Sequence, residues 1–185
     1  MGKYILITGG EMFNKGAQSM TFSTVNEIKK RYDNKEVILL SSLDYDRSDK
    51  DKEQYSFKIL PFNLGMIFYL LGSWAKLIWF FKVKKENKKR YGQSILELKQ
   101  ILEETEKIID ISGYALSSQW GLMSTITYLL NIALAKKYKI KMYLMPQSFG
   151  PFNYKRFKSI INRMIRKYMR YPELIFARED EGYKR

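Results

Sequence analysis

A chain of 185 residues, 45% of them hydrophobic, has the size of one large domain or two small ones and can bury a continuous core, which excludes general disorder. It contains no cysteine and no histidine, which excludes disulfides, thiolate metal sites and a histidine base, fits a reducing cytoplasmic setting, and leaves acid–base chemistry to carboxylates, Lys, Tyr or another domain. The formal charge of +14 is uneven, with no Asp or Glu from Ile111 to Pro172 while Lys and Arg recur from Lys136 to Arg170, a field that favours anionic partners: phosphorylated small molecules, acidic lipid headgroups or nucleic acid.

Met1 to Ile7 does not read as a signal peptide, because its apolar run is short and leads straight into Gly9-Gly10. Lys3 to Thr8 reads as a buried strand closed by that glycine pair, and Lys15 to Tyr32 as a helix with Asn14 as its N-cap. Glu36 to Ser41 is a second strand, Asp44 to Gln54 a polar, charged loop, and Tyr55 to Leu60 a third strand stopped by Pro61. Gly92 to Glu106 reads as an amphipathic helix, Lys107 to Ser112 as a strand ending in Gly113, and Trp120 to Tyr138 as a helix. Ile140 to Met145 is a strand stopped at Pro146, Asn153 to Arg170 a helix, and Glu173 to Ala177 a last strand. Short apolar strands alternating with helices predict an α/β, Rossmann-like, doubly wound parallel sheet of about six strands, with Lys3–Thr8 in its interior.

Two stretches disturb the alternation. Leu64 to Val83 is almost uninterrupted apolar and aromatic, and a basic run accompanies its end at Lys82, Lys84, Lys85, Lys88, Lys89 and Arg90. Its length meets the requirement of about 20 residues for a membrane span. A crossing there, however, would put Lys3–Leu60 and Lys107–Ala177 on opposite sides of a bilayer. Residues 64–90 are therefore read as an apolar and basic insertion, either a helix at the membrane interface or a buried helix or partner contact. The second stretch is Arg178 to Arg185, which reads as the start of a further helix, so residues 1–185 are expected to be one domain of a longer protein. The helix Asn153–Arg170 has an apolar stripe that includes Tyr154, Ile161 and Ile165. Lys155, Arg156, Lys158, Arg163, Arg166, Lys167 and Arg170 fill the rest. That basic face suits an anionic membrane or a lipid-linked substrate. Nucleic acid is not expected, since no helix-turn-helix or RNA-binding aromatic signature accompanies the charge.

Four segments at the ends of predicted strands carry a family resemblance. They are Thr8-Gly9-Gly10-Glu11-Met12-Phe13-Asn14-Lys15-Gly16-Ala17-Gln18-Ser19-Met20, Asp110-Ile111-Ser112-Gly113-Tyr114-Ala115, Met145-Pro146-Gln147-Ser148-Phe149-Gly150-Pro151 and Ala177-Arg178-Glu179. In this order they resemble the polysaccharide pyruvyl transferase family over nearly the whole chain. Gly182 departs from that pattern, standing where the family often has a serine. The resemblance implies the N-terminal, Rossmann-like half of a two-domain enzyme similar to GT-B glycosyltransferases, with its active site in the cleft between the halves. It implies transfer of pyruvate from phosphoenolpyruvate, held mainly by the other half, to a hydroxyl of a glycan or lipid-linked sugar, with no cofactor. The substrate-binding residues it implies are Asn14, Lys15, Gly16 and Gln18 in the first turn, Gly113, Gln147 and Ser148 in the middle segments, and Arg178 near the end. This half alone is expected to be inactive, and to be cytoplasmic, either free or peripheral on the inner face of the plasma membrane.

The residues themselves leave alternatives open. Ligands of open parallel sheets sit outside the carboxyl ends of the strands, where all four segments fall. Gly9 and Gly10 either admit a ligand or only turn the chain, and Asn14 either contacts a ligand or only caps its helix. The amides of Lys15, Gly16 and Ala17 favour an anion, to which Lys15 adds charge. Gln147 and Ser148 suit hydrogen bonding to a sugar or carboxylate, or a structural turn. Arg178 suits a phosphate or carboxylate, or a salt bridge with Glu179. Asp110 in its apolar strand is a base or, more simply, a buried hydrogen-bonded carboxylate. Half of a GT-B glycosyltransferase using a nucleotide sugar, and a non-catalytic basic domain that docks on membranes, are the rival functions.

Overall fold

The computed structural model describes residues 2–72 and 85–180. Its centre is one six-stranded, wholly parallel sheet. In chain order the elements are β1 (Tyr4–Thr8), α1 (Lys15–Arg31), β2 (Glu36–Leu40), the short helices α2 (Ser42–Tyr45) and α3 (Asp49–Glu53), and β3 (Lys58–Leu60). These are followed by α4 (Leu64–Leu71), α5 (Lys85–Glu103), β4 (Thr105–Asp110), α6 (Gly121–Lys137), β5 (Lys141–Gln147), α7 (Lys158–Tyr168) and β6 (Leu174–Ala177). The spatial order is β3-β2-β1-β4-β5-β6, so β1 is interior, as the alternation predicts.

Successive strand residues point to opposite faces, and each face has its own core. Leu6, Ile38, Leu40, Leu60 and Ile108 pack on one side against Met66 and Leu70 of α4, Ile95, Leu98 and Leu102 of α5, and Leu129 and Ile132 of α6. Ile5, Ile7, Val37, Leu39 and Ile59 pack on the other against Val25 and Ile28 of α1. Strands buried on both faces have no polar alternation to show, which is why β1 and β2 read as continuous apolar runs.

Boundaries differ from the sequence expectation at several elements, β5 for one running through Pro146 to Gln147, and four of the differences have identifiable reasons. The expected loop Asp44–Gln54 contains α3 and the end of α2. Ser41 accepts from the Asp44 amide and Ser48 from the Asp51 amide, so each turn starts on a serine cap with an aspartate three residues later. The third strand is Lys58–Leu60 rather than Tyr55–Leu60. Tyr55 and Phe57 stack on each other, 5.4 Å between ring centroids, and pack against Phe22 of α1 instead of joining a ladder. Only Lys158–Tyr168 of the expected helix Asn153–Arg170 is α-helical, preceded by a 3-10 turn at Lys155–Phe157. The apolar segment beginning at Leu64 is interrupted at Gly72, whose left-handed backbone (φ 74°) caps α4.

In α4, Met66, Ile67 and Leu70 are buried, and the Leu70 carbonyl accepts from Lys137 Nζ at 2.6 Å. This part of the segment is therefore core. Residues 73–84, on which the interfacial reading mainly falls, lie outside the described residues. Among the described residues no helix is long and apolar enough to cross a membrane.

Candidate functional site

The chain runs outward from β1 to β2 and β3, then returns to place β4 on the other side of β1. In such sheets the connections after the two central strands leave in opposite directions and open a crevice at the carboxyl ends. A cavity of about 420 Å³ lies there. Thr8, Gly9 and Gly10 line it from the end of β1, Ser41, Ser42 and Leu43 from beyond β2, and Asp110 and Ser112 from the end of β4. Ser124, Thr127, Tyr128 and Asn131 close it from α6. A larger cavity of about 530 Å³ is lined by Tyr4, Glu36 and Lys58 at the amino ends of their strands, with Glu97, Glu103 and Glu104. That is the wrong end of a parallel sheet for a ligand, so the smaller cavity is the candidate site.

Asp110 is the hub of its floor. The carboxyl is fully buried, and it accepts from Thr8 Oγ1 at 2.7 Å, Ser112 Oγ at 2.6 Å, the Ser112 amide at 3.2 Å and Gln147 Nε2 at 3.2 Å. Burial pushes this carboxyl above the usual aspartate range, against the opposing pull of the bonds from Ser112, Thr8 and Gln147. Three strand ends are thereby tied at one point: β1 through Thr8, β4 through Asp110 itself and β5 through Gln147. Gly9 completes the closure. Its backbone is left-handed (φ 73°), and a Cβ there would lie 2.4 Å from Ser112 Cβ, so the close approach it permits is to the neighbouring strand end.

A second buried carboxylate sets the mouth of the cavity. Asp44 is fully buried and accepts from the Met12 amide at 3.1 and 3.2 Å and from Ser41 Oγ at 2.7 Å, while Arg47 Nε lies 3.1 Å from its Oδ1. The Arg47 guanidinium in turn lies 4.1 Å from the centroid of the Phe13 ring. The turn after β1 is thus clamped to the connection after β2. In sequence Asp44 is one acid among many in a charged stretch, and nothing local marked it as buried.

The residues singled out from the sequence fall into two groups behind and beside this cavity, and none of the eight is among those lining it. Asn14 is the N-cap of α1, its Oδ1 accepting from the Gly16 amide at 2.8 Å and the Ala17 amide at 3.4 Å, which engages two of the amides expected to face an anion. Lys15 is exposed and Gln18 half-buried on the first turn of the same helix. Gly113 has a left-handed backbone (φ 70°) and its carbonyl accepts from the Ser148 amide at 2.8 Å. Gln147 is buried against Asp110 and Ser112, and Ser148 Oγ donates to Glu179 Oε1 at 2.9 Å. Arg178 is exposed, and its amide donates to the Gln147 carbonyl at 2.9 Å. Gly113, Gln147, Ser148 and Arg178 therefore form one connected group across the ends of β4, β5 and β6, and the Asn14–Gln18 group stands apart at α1.

The side chains that do line the cavity from α6 were missed. Ser124, Thr127, Tyr128 and Asn131 recur at i, i+3, i+4 and i+7, the spacing of a single helix face. Tyr128 and Asn131 are 5% and 6% exposed, and neither the Tyr128 hydroxyl nor Asn131 Oδ1 has a hydrogen-bond partner among the described residues. Burial, and then the field of Asp110, push the Tyr128 phenol well above its ordinary value, so it keeps its proton.

A sequence model of the family described as polysaccharide pyruvyl transferase matches residues 14–185. No curated protein sequence matches the chain.

Proposed function

The chain belongs to the polysaccharide pyruvyl transferase family, and from that premise we propose that it is the acceptor-side domain of an enzyme that transfers pyruvate from phosphoenolpyruvate to hydroxyls of a cell-surface glycan. In the net reaction, C2 of the donor bonds to two sugar hydroxyl oxygens as its bond to the phosphate oxygen and the π bond to its methylene break. One hydroxyl proton goes to the donor methylene and a second leaves with phosphate, which balances a ketal product. The reading is carried by the make-up of the crevice. In a chain of charge +14, the described residues lining it include no Lys or Arg, but hydroxyls, an amide and the acids Glu11 and Asp110. Such a surface suits a neutral polyol and repels a phosphorylated carboxylate, which leaves the donor to a second domain facing these strand ends.

A specific observation supports docking at the cytoplasmic face of a membrane. On α7 and just beyond it Lys158, Arg163, Arg166, Lys167 and Arg170 are exposed, and Phe157 and Ile160 beside them are 50% and 60% exposed. Cations next to exposed apolar groups gain both headgroup attraction and apolar burial.

The test mixes the chain with phosphoenolpyruvate and a panel of glycans, measuring binding by NMR and phosphate release by assay. Glycan binding at the crevice without turnover supports the acceptor-side reading. Phosphate release by the chain alone would show a complete enzyme, and saturable phosphoenolpyruvate binding in the crevice would assign it to the donor; either result overturns the reading. Binding of a nucleotide sugar in place of both would favour a glycosyltransferase half.

A further inference from the structure

Resting on the acceptor-side reading, we propose that Tyr128 and Asn131 are the pair that recognises a hydroxyl group of a neutral sugar in the crevice between β1 and β4. The two residues are three apart on one face of α6 and both line the cavity. More than nine-tenths of each is buried, yet the Tyr128 hydroxyl and Asn131 Oδ1 have no hydrogen-bond partner among the described residues. Buried polar groups are almost always paired in folded proteins, because burial without a partner forfeits their hydration. Two such groups side by side on the wall of a cavity mark where a ligand supplies the missing bonds.

Their chemistry selects the ligand. The Tyr128 phenol holds its proton and can donate, while Asn131 Oδ1 can only accept. A group that satisfies both at once must accept and donate, which a hydroxyl does. A carboxylate or a fully ionised phosphate has no proton for Asn131, and it would also meet Asp110 and Glu11 in the same cavity with no cation among the described lining residues to offset them. Leu43, Phe62 and Ala115 supply apolar surface in the same cavity, against which the C–H face of a pyranose ring can lie.

The probes are methyl galactopyranoside, methyl glucopyranoside and methyl mannopyranoside, titrated by saturation-transfer NMR against the whole chain. At least one is expected to bind the unmodified chain, and Tyr128→Phe and Asn131→Leu are each expected to weaken it about tenfold, the effect of one lost hydrogen bond. The monodeoxy analogue lacking the recognised hydroxyl should bind the chain and Tyr128→Phe equally weakly, a coupling that a merely structural tyrosine would not produce. Because Tyr128→Phe removes a buried hydroxyl with no partner among the described residues, the free variant should melt about 2–4 °C higher than the unmodified chain. A lower melting temperature would show that the hydroxyl holds the fold, and would overturn the proposal. Unchanged sugar binding in both variants would overturn it while leaving the acceptor-side reading intact. Failure of all three glycosides to bind the unmodified chain would overturn both.

Discussion

The Asp44 clamp can be broken with one substitution, Asp44→Ala. The change removes a fully buried carboxylate and leaves three groups without their acceptor: the Met12 amide, the Ser41 hydroxyl and the Arg47 guanidinium. They are not equally harmed. The Arg47 side chain is 21% exposed and can turn towards water, and the Ser41 hydroxyl can rotate, but the Met12 amide is fixed in buried backbone. Stranding a buried donor costs about 1–3 kcal/mol, and removing one partner of a buried ion pair about 3–5 kcal/mol. Discounting the second figure for the exposure of Arg47 leaves a loss of about 3–4 kcal/mol. For a domain of this size that is a fall in Tm of roughly 6–16 °C. Asp44→Asn keeps an oxygen for Met12 and gives up only the charge, so its loss should be about 1–2 kcal/mol. Urea unfolding followed by circular dichroism measures both, and hydrogen exchange reads the Met12 amide directly. A loss below about 1 kcal/mol in Asp44→Ala, with Met12 still protected, would show that the clamp contributes nothing beyond its volume.

Gly9→Ala places a Cβ 2.4 Å from Ser112 Cβ on a backbone with φ 73°, and overpacking plus left-handed strain should cost about 3 kcal/mol in chemical denaturation. A loss under half of that would mean that the two strand ends separate easily. Glu106→Gln deprives Lys35, whose side chain is 3% exposed, of an ion pair at 2.7 Å and should cost about 2 kcal/mol near neutral pH. The bond from Lys35 holds the Glu106 carboxyl below its ordinary range, so its contribution is present above the usual glutamate pKa of about 4.3 and disappears as pH falls through the folded value. The difference between the unmodified chain and Glu106→Gln should therefore shrink in acid, and a difference that grew there would reverse the sign of this account. Liposomes with acidic lipid should bind the chain more tightly than neutral ones, with weaker binding at 1 M salt, where the screening length is about 3 Å. Charge reversal at Arg163, Arg166 and Lys167 should weaken that binding without unfolding, since all three are exposed.

The fold was legible because strand and helix periods do not compete in this chain. Ile5, Leu6 and Ile7 are apolar on both strand faces, and α1 follows a glycine turn and the asparagine read as its N-cap, whose side chain accepts from two amides. The errors fall where a local signal served a different purpose. Tyr55 and Phe57 have strong strand propensity, but an aromatic ring gains more from stacking in a crevice beside α1 than from one extra ladder rung. In Asp44–Gln54, charge density suggested a loop, yet Ser41 and Ser48 each stand three residues before an aspartate, which is a helix-start signal.

The end of the sheet that holds the cavity was legible in the sequence and the cavity's lining was not, and β5 shows why. Met142 and Leu144 are buried on alternate positions, which by parity would turn Gln147 to the opposite face. The pairing with β6 shifts between Leu144 and Gln147, and that irregularity swings Gln147 inward onto Asp110. A residue read as facing a ligand thereby lies buried against Asp110, behind the lining of the cavity. The opposite happened on α6, which was read only as a helix and whose Ser124, Thr127, Tyr128 and Asn131 lie unmarked among many apolar residues. Their common face has meaning only once the order of the strands is known, because that order sets which side of α6 meets the crevice between β1 and β4. Motifs at strand ends therefore fell at the end of the sheet where the cavity lies, whereas the side chains without a partner among the described residues came from a helix wall that carries no motif at all.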